Sequence, residues 1–190
     1  MSKYLFVQLL TISRIPMAVL YGLTLYFCEW SYGVLIFCLL LLSCIEMSDL
    51  LDGYSARKFG LVSEWGAMLD PFADSVSRLI VFSSMAMSPK GYIIFLVPIV
   101  MALRDVTVAY SRIILTKHNK SVAAKTSGKI KAVVQGVGAY FILMGPVYWE
   151  FTGRWTVYVL SWIIIIATAA SVIEYAASAI SVAMDDMKTD

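Results

Sequence analysis

The sequence predicts an all-α, polytopic membrane protein, and three observations carry that prediction. Of 190 residues, 60% are apolar and only 15% are charged, where a soluble domain carries roughly 25% charged. A mean hydropathy of +0.79, sustained along nearly the whole chain, leaves too little polar surface to cover a water-facing globule. The apolar blocks also recur at lengths that suit a hydrocarbon core, which needs about 20 helical residues per crossing. A formal net charge of +2 argues against a nucleic-acid partner, because neutralising phosphates needs a concentrated basic face. No basic segment followed by an apolar core and a small-residue cleavage site opens the chain, so no signal peptide is expected. Residues 1–190 are expected to form a single membrane domain without internal repeats.

Cutting the apolar blocks where charge, Gly or Pro clusters intervene gives six transmembrane helices. The first runs from about Ile15 to Cys28, short unless it is extended by the amphipathic segment Lys3 to Ser13, which is expected as a short N-terminal interfacial helix. The second covers Ser31 to Asp52, the third Glu64 to Met87 and the fourth Tyr92 to Leu115. The fifth covers Ser127 to Trp149 and the sixth Trp155 to Ala183. Trp30, Trp65, Trp149 and Trp155 fall at span ends, where amphipathic rings favour the headgroup level. Cys28, Cys38 and Cys44 lie in apolar stretches without metal-ligand spacing and read as small core hydrophobes. With both termini in the cytoplasm, eleven basic residues, Arg14 among them, fall inside and only Lys90 and Arg154 outside. That bias predicts a multi-pass protein, of the inner membrane in a bacterium, with its active site facing the cytoplasm.

Inside the spans lie Arg78 and Arg104 together with Glu46, Asp49, Asp52, Asp70, Asp74, Asp105 and Glu174. Each carboxylate costs about 2.5 to 3.5 kcal/mol at a helix centre on insertion scales, so the set implies a polar cavity. Asp49 and Asp52 are three apart and Asp70 and Asp74 four apart, which puts each pair on one helical face. Four converging carboxylates would repel one another unless a multivalent cation lay between them. With only oxygen ligands on offer, that cation is a hard one such as Mg²⁺, Mn²⁺ or Ca²⁺, and four acids suit two ions. Gly53, Ala56 and Gly66 strip side chains from the intervening backbone, and Arg57 adds a positive fork. Hard cations, small residues and an Arg together describe a site for a pyrophosphate undergoing phosphoryl transfer.

The run Asp49-Leu-Leu-Asp52-Gly53-Tyr-Ser-Ala56-Arg57, followed by Gly66, Asp70 and Asp74, resembles the signature of the CDP-alcohol phosphotransferase family at all eight fixed positions. The resemblance implies a six-helix membrane enzyme, a metal-dependent phosphatidyltransferase that uses Mg²⁺ or Mn²⁺ and forms a homodimer. In that family the hydroxyl of an alcohol attacks the β-phosphorus of a CDP-alcohol and releases CMP. The resemblance assigns Asp49, Asp52, Asp70 and Asp74 to the metals and makes Asp74 also the base. Gly53, Ala56, Arg57 and Gly66 would line the nucleotide pocket.

The rest of the chain bears on the acceptor. Leu10 to Pro16, Leu69 to Asp74, the Arg104-Asp105 pair with Arg112, and Ser127 to Lys131 with Gln135 are similar to the phosphatidylglycerophosphate synthase branch of that family. That likeness implies CDP-diacylglycerol as donor, glycerol 3-phosphate as acceptor and the lipid bilayer as setting. Arg104 and Arg112 are eight apart, roughly on one helical face, and Lys129 and Lys131 open the next span on the same side. An intramembrane Arg needs an anion, and an acceptor phosphate would serve. Ser75 departs from the branch, which usually carries Lys there, and Arg78, one turn on, is placed to replace part of that charge. Two alternatives stay open: the same reaction with inositol phosphate, serine or phosphatidylglycerol, and, from another class, a divalent-cation transporter. In a cation pathway the glycines and Arg57 beside the acids would have no purpose.

Overall fold

The computed structural model describes residues 3–58, 64–117 and 126–186, the side chains of 3–7, 50, 52–58, 64, 65, 67, 126, 179, 182, 183, 185 and 186 excepted. Among the described residues there are seven helices and no strand: α1 (Lys3–Phe27), α2 (Tyr32–Lys58), α3 (Glu64–Met87), α4 (Leu96–Lys117), α5 (Thr126–Leu143), α6 (Gly145–Thr152) and α7 (Trp155–Asp186). Three are long and apolar enough to cross a membrane, over Gln8–Phe27, Tyr32–Asp49 and Trp155–Ser178, and the bent pair α5 and α6 makes a fourth if it counts as one span. Helices α3 and α4 have 24 and 22 residues, about 36 and 33 Å at 1.5 Å per residue. They have the length but not the apolarity, because Asp70, Asp74 and Arg78 lie in one and Arg104, Asp105 and Arg112 in the other.

The chain divides into two compact units, residues 1–92 with 143–146, and residues 93–142 with 147–190. In the first, α1 packs on both α2 and α3. Its inward stripe is Thr11, Arg14, Ala18, Tyr21 and Leu25, all buried, a strict three-four alternation that keeps one face on its neighbours. Leu35, Cys38, Leu42 and Ile45 form the matching stripe of α2. Ala18 and Gly22, four apart, are the small residues that let α1 approach α3; a Cβ on Gly22 would collide with Ser84 Oγ.

In the second unit α4 packs on α7. The α7 stripe reads Val157, Ser161, Ile164, Thr168, Ser171 and Tyr175, again three-four spaced and buried, yet mostly polar. Each polar member that faces a neighbour is used: Ser161 Oγ accepts from the Ile94 amide at 3.2 Å, and Thr168 Oγ1 accepts from Gln135 Nε2 of α5 at 3.0 Å. Gly138 of α5 lies against Ile164, where a Cβ would approach Cδ1 to 3.2 Å.

Two expectations need correction. Lys3 to Ser13 is not a separate interfacial helix and the first span does not begin at Ile15, since α1 is continuous through Pro16. Proline removes one ladder bond, but tertiary packing of the stripe on both sides of it outweighs that loss. The fifth span, Ser127 to Trp149, is not one rod: α5 stops at Leu143 and α6 resumes after a bend of 75°. Gly145 and Pro146 account for the break, one conformationally permissive and the other without an N–H.

Candidate active site

The first polar cluster joins α1, α2 and α3. Arg14, only 1% exposed, lies on the α1 stripe, and its guanidinium reaches two helices at once: Nη1 donates to Asp49 Oδ1 at 2.6 Å and Nη2 to Asp70 Oδ1 at 2.8 Å. A turn deeper, Arg78 makes a second bridge, from Nε to Asp74 Oδ1 at 2.6 Å and from Nη2 to Glu46 Oε2 at 3.0 Å. Asp49 and Asp74 are about one-third exposed and Asp70 about half, so the carboxylates stand at a surface a ligand can reach while the arginines lie beneath. Among the described residues, four carboxylates, Glu46, Asp49, Asp70 and Asp74, thus meet two guanidinium groups here.

The residues expected to hold metal are thus placed unevenly. Asp49, Asp70 and Asp74 come together around Arg14 and Arg78, whereas Asp52, Gly53, Ala56 and Arg57 lie outside the described side chains, as does Trp65. Gly66 occupies the first turn of α3. Among the described residues no three Asp, Glu, His or Cys gather tightly enough to hold an ion. The donor set nonetheless fits a hard dication: every donor is a carboxylate oxygen, and one positive group already draws Asp49 and Asp70 to itself.

The second cluster joins α4, α5 and α7. On α4, Val97, Met101, Val108, Ser111 and Leu115 are buried, and Arg104 falls in register between Met101 and Val108. Its Nη1 donates to Asp105 Oδ1 at 2.7 Å and its Nε to Ser171 Oγ at 3.1 Å. The Tyr175 ring, 2% exposed, lies 5.9 Å from the Arg104 guanidinium and 6.0 Å from that of Arg112, so two cations share one aromatic ring. Arg112 Nε is buried without a hydrogen-bond partner among the described residues. Lys131 is buried with its ammonium 3.8 Å from Asp105. Glu174 accepts a hydrogen bond from the Ser127 hydroxyl. A Cβ on Gly128 would sit 3.6 Å from Tyr175 Oη and 3.7 Å from Arg104 Nη2, so the start of α5 is in contact with both groups.

Of the four residues expected at an acceptor phosphate, Arg104, Arg112 and Lys131 come together and Lys129 does not, because it is exposed on the other side of α5. Asp105 is the acid paired with Arg104, whereas Glu174 accepts from Ser127. Sequence reasoning missed the role of Arg14, counted there only among the cytoplasmic charges and in the Leu10 to Pro16 stretch, and missed Tyr175 altogether. Both were findable: each falls in register with its helix's three-four stripe, where a charged or polar residue is unexpected and therefore informative. The cysteines are free, Cys38 buried and Cys28 and Cys44 exposed.

One unit thus carries an acid-rich cluster and the other a base-rich one. The chain belongs to the CDP-alcohol phosphatidyltransferase family, whose model matches residues 5–176. Among curated relatives it is similar to proteins named CDP-diacylglycerol–glycerol-3-phosphate 3-phosphatidyltransferase. That of Mycoplasma genitalium is 39% identical over 95 residues, 50% of this chain and 39% of that protein. That of Bacillus subtilis is 29% identical over 131 residues, 67% of this chain and 65% of that protein. That of Escherichia coli strain K12 is 29% identical over 151 residues, 76% and 80% respectively. The matched region therefore spans about two fifths of the first relative's length and just under two thirds of the second's.

Proposed function

We propose that this chain transfers the phosphatidyl group of CDP-diacylglycerol to glycerol 3-phosphate, releasing CMP, in phospholipid synthesis. The observation that supports this most is the pair of clusters of opposite sign on inward helix faces, one short of positive charge and one rich in it. Asp49, Asp52 and Asp70, with Asp74, would hold Mg²⁺ or Mn²⁺, two ions in all. When bound, such ions neutralise the pyrophosphate and stabilise charge on the leaving group. Gly53, Ala56, Arg57 and Gly66 hold the cytidine nucleotide. Asp74 takes the proton of the acceptor hydroxyl, its carboxylate fixed in direction by Arg78. Arg104, Arg112 and Lys131 hold the acceptor phosphate, Tyr175 keeps the two guanidinium groups in place, and Lys129 contributes from outside. The six-span topology, with α3 and α4 crossing despite their charges, the cytoplasmic active site and a homodimer belong to the same reading.

Radiolabelled CDP-diacylglycerol offered to the purified protein with a panel of acceptors tests it. Labelled phosphatidylglycerophosphate should form with glycerol 3-phosphate, and free glycerol should be a poor substrate. Product only with inositol phosphate, serine or phosphatidylglycerol would keep the reaction and move the acceptor.

A further inference from the structure

We propose that the unit formed by residues 1–92 carries a second lipid site, which takes the phosphate and amine of a glycerophospholipid headgroup. It lies where the α1–α2 connection meets the turn after α3. Along α2 it is fifteen residues from Asp49 at Val34, about 22 Å at 1.5 Å per residue, and so is separate from the acid cluster. A cavity of about 400 Å³ opens there, lined among others by Phe27, Glu29, Trp30, Val34, Lys90 and Tyr92.

Three features of this cavity suit a phosphate. The indole N–H of Trp30 is buried and has no acceptor among the described residues, and a buried donor left in that state calls for a ligand or a water. Lys90 holds its ammonium 5.8 Å from the Trp30 ring centroid. Its backbone is fixed by a tight turn in which the Gly91 amide donates to Ser88 O at 2.8 Å, with Gly91 at φ 57°, a conformation that favours glycine. The N-terminus of α2, capped by Ser31 Oγ accepting from the Val34 amide at 3.2 Å, adds the partial positive charge of a 27-residue helix.

Two further features distinguish a lipid with an amine from a free anion. Glu29 would repel a purely anionic ligand but pairs with an ammonium, which the surrounding aromatic faces also favour. Phe27, 74% exposed, and Tyr26, 52% exposed, belong to the same lining and offer apolar surface to acyl chains.

The test is native mass spectrometry of the full chain in a neutral detergent, titrated with phosphatidylethanolamine, phosphatidylglycerol or inorganic phosphate, with transferase activity as the check on folding. The wild type should retain one phosphatidylethanolamine per chain in preference to phosphatidylglycerol. Trp30→Phe and Lys90→Gln should each weaken retention by about tenfold, and Glu29→Gln should erase the preference, all with activity unchanged. Retention by active Trp30→Phe and Lys90→Gln proteins equal to the wild type's would overturn the site. So would equal retention of the two lipids by the wild type, or displacement of the lipid by millimolar inorganic phosphate, which would mark a free-anion site. Should Trp30→Phe be inactive, Lys90→Gln alone decides.

Discussion

The two units solve the same problem, charge inside an apolar helix bundle, with opposite signs. In the first, acids outnumber arginines, and the arginines are the buried partners: Arg14 and Arg78 lie beneath carboxylates that reach the surface. In the second, the cations outnumber the carboxylates, and they are held by a polar stripe, Ser171 and Tyr175, as much as by Asp105. A cluster with surplus negative charge favours cations, and one with surplus positive charge favours anions. Under the proposed function, metal and nucleotide chemistry belong to the first unit and acceptor recognition to the second.

Breaking the first cluster should have the largest effect. Asp49→Asn, Asp52→Asn and Asp70→Asn should each reduce CMP release below detection, as should EDTA, and full turnover in EDTA would defeat the assignment. Asp74→Asn sharpens it: turnover should fall at least ~100-fold while CDP-diacylglycerol still binds, measured by equilibrium binding beside the rate. The second cluster should respond differently. Arg104→Ala or Arg112→Ala removes a charge-assisted contact worth about 1.5 to 3 kcal/mol, so the KM for glycerol 3-phosphate should rise roughly 10- to 150-fold with the donor's KM little changed. The smallest effect belongs to Tyr175. Loss of its ring in Tyr175→Leu should raise the acceptor KM about 2- to 30-fold, in line with a cation–π contribution of roughly 0.5 to 2 kcal/mol. Tyr175→Phe, which keeps the ring, should stay within about twofold, and kinetics of the two variants side by side separate ring from hydroxyl.

The helical class, the reach of α3 and the placement of Asp49, Asp70 and Asp74 could all be read from spacing alone, because a period of three to four fixes which residues share a face. Arg104 and Arg112 were legible for the same reason. What spacing could not supply was the partner across a helix pair. Nothing local says that Arg14 meets residues 35 and 56 positions away, or that Tyr175 lies against both guanidinium groups. Boundaries failed where backbone chemistry and packing compete: at Pro16 the packing of α1 prevailed, and at Gly145-Pro146 the backbone did. Lys129 and Lys131 part company because two residues separate them by about 200° around α5, enough to expose one and bury the other.

The continuity of α1 has a consequence for biogenesis. Arg14 leaves the ribosome ahead of α2 and α3, which carry Asp49 and Asp70, its acidic partners 35 and 56 positions on. An Arg at the centre of a lone apolar helix costs about 2.5 to 3.5 kcal/mol on insertion scales, and Arg14, within the apolar stretch Gln8–Phe27, carries part of that cost until its partners arrive. Helix α1 becomes stable in lipid once α2 and α3 deliver Asp49 and Asp70. Arrested chains ending after α1 should accordingly insert poorly, and Arg14→Leu should improve that step while leaving the mature protein with two carboxylates it can no longer neutralise; glycosylation mapping of the arrested chains measures it. The residue that anchors the acid cluster is thereby also a checkpoint on the order in which the protein is assembled.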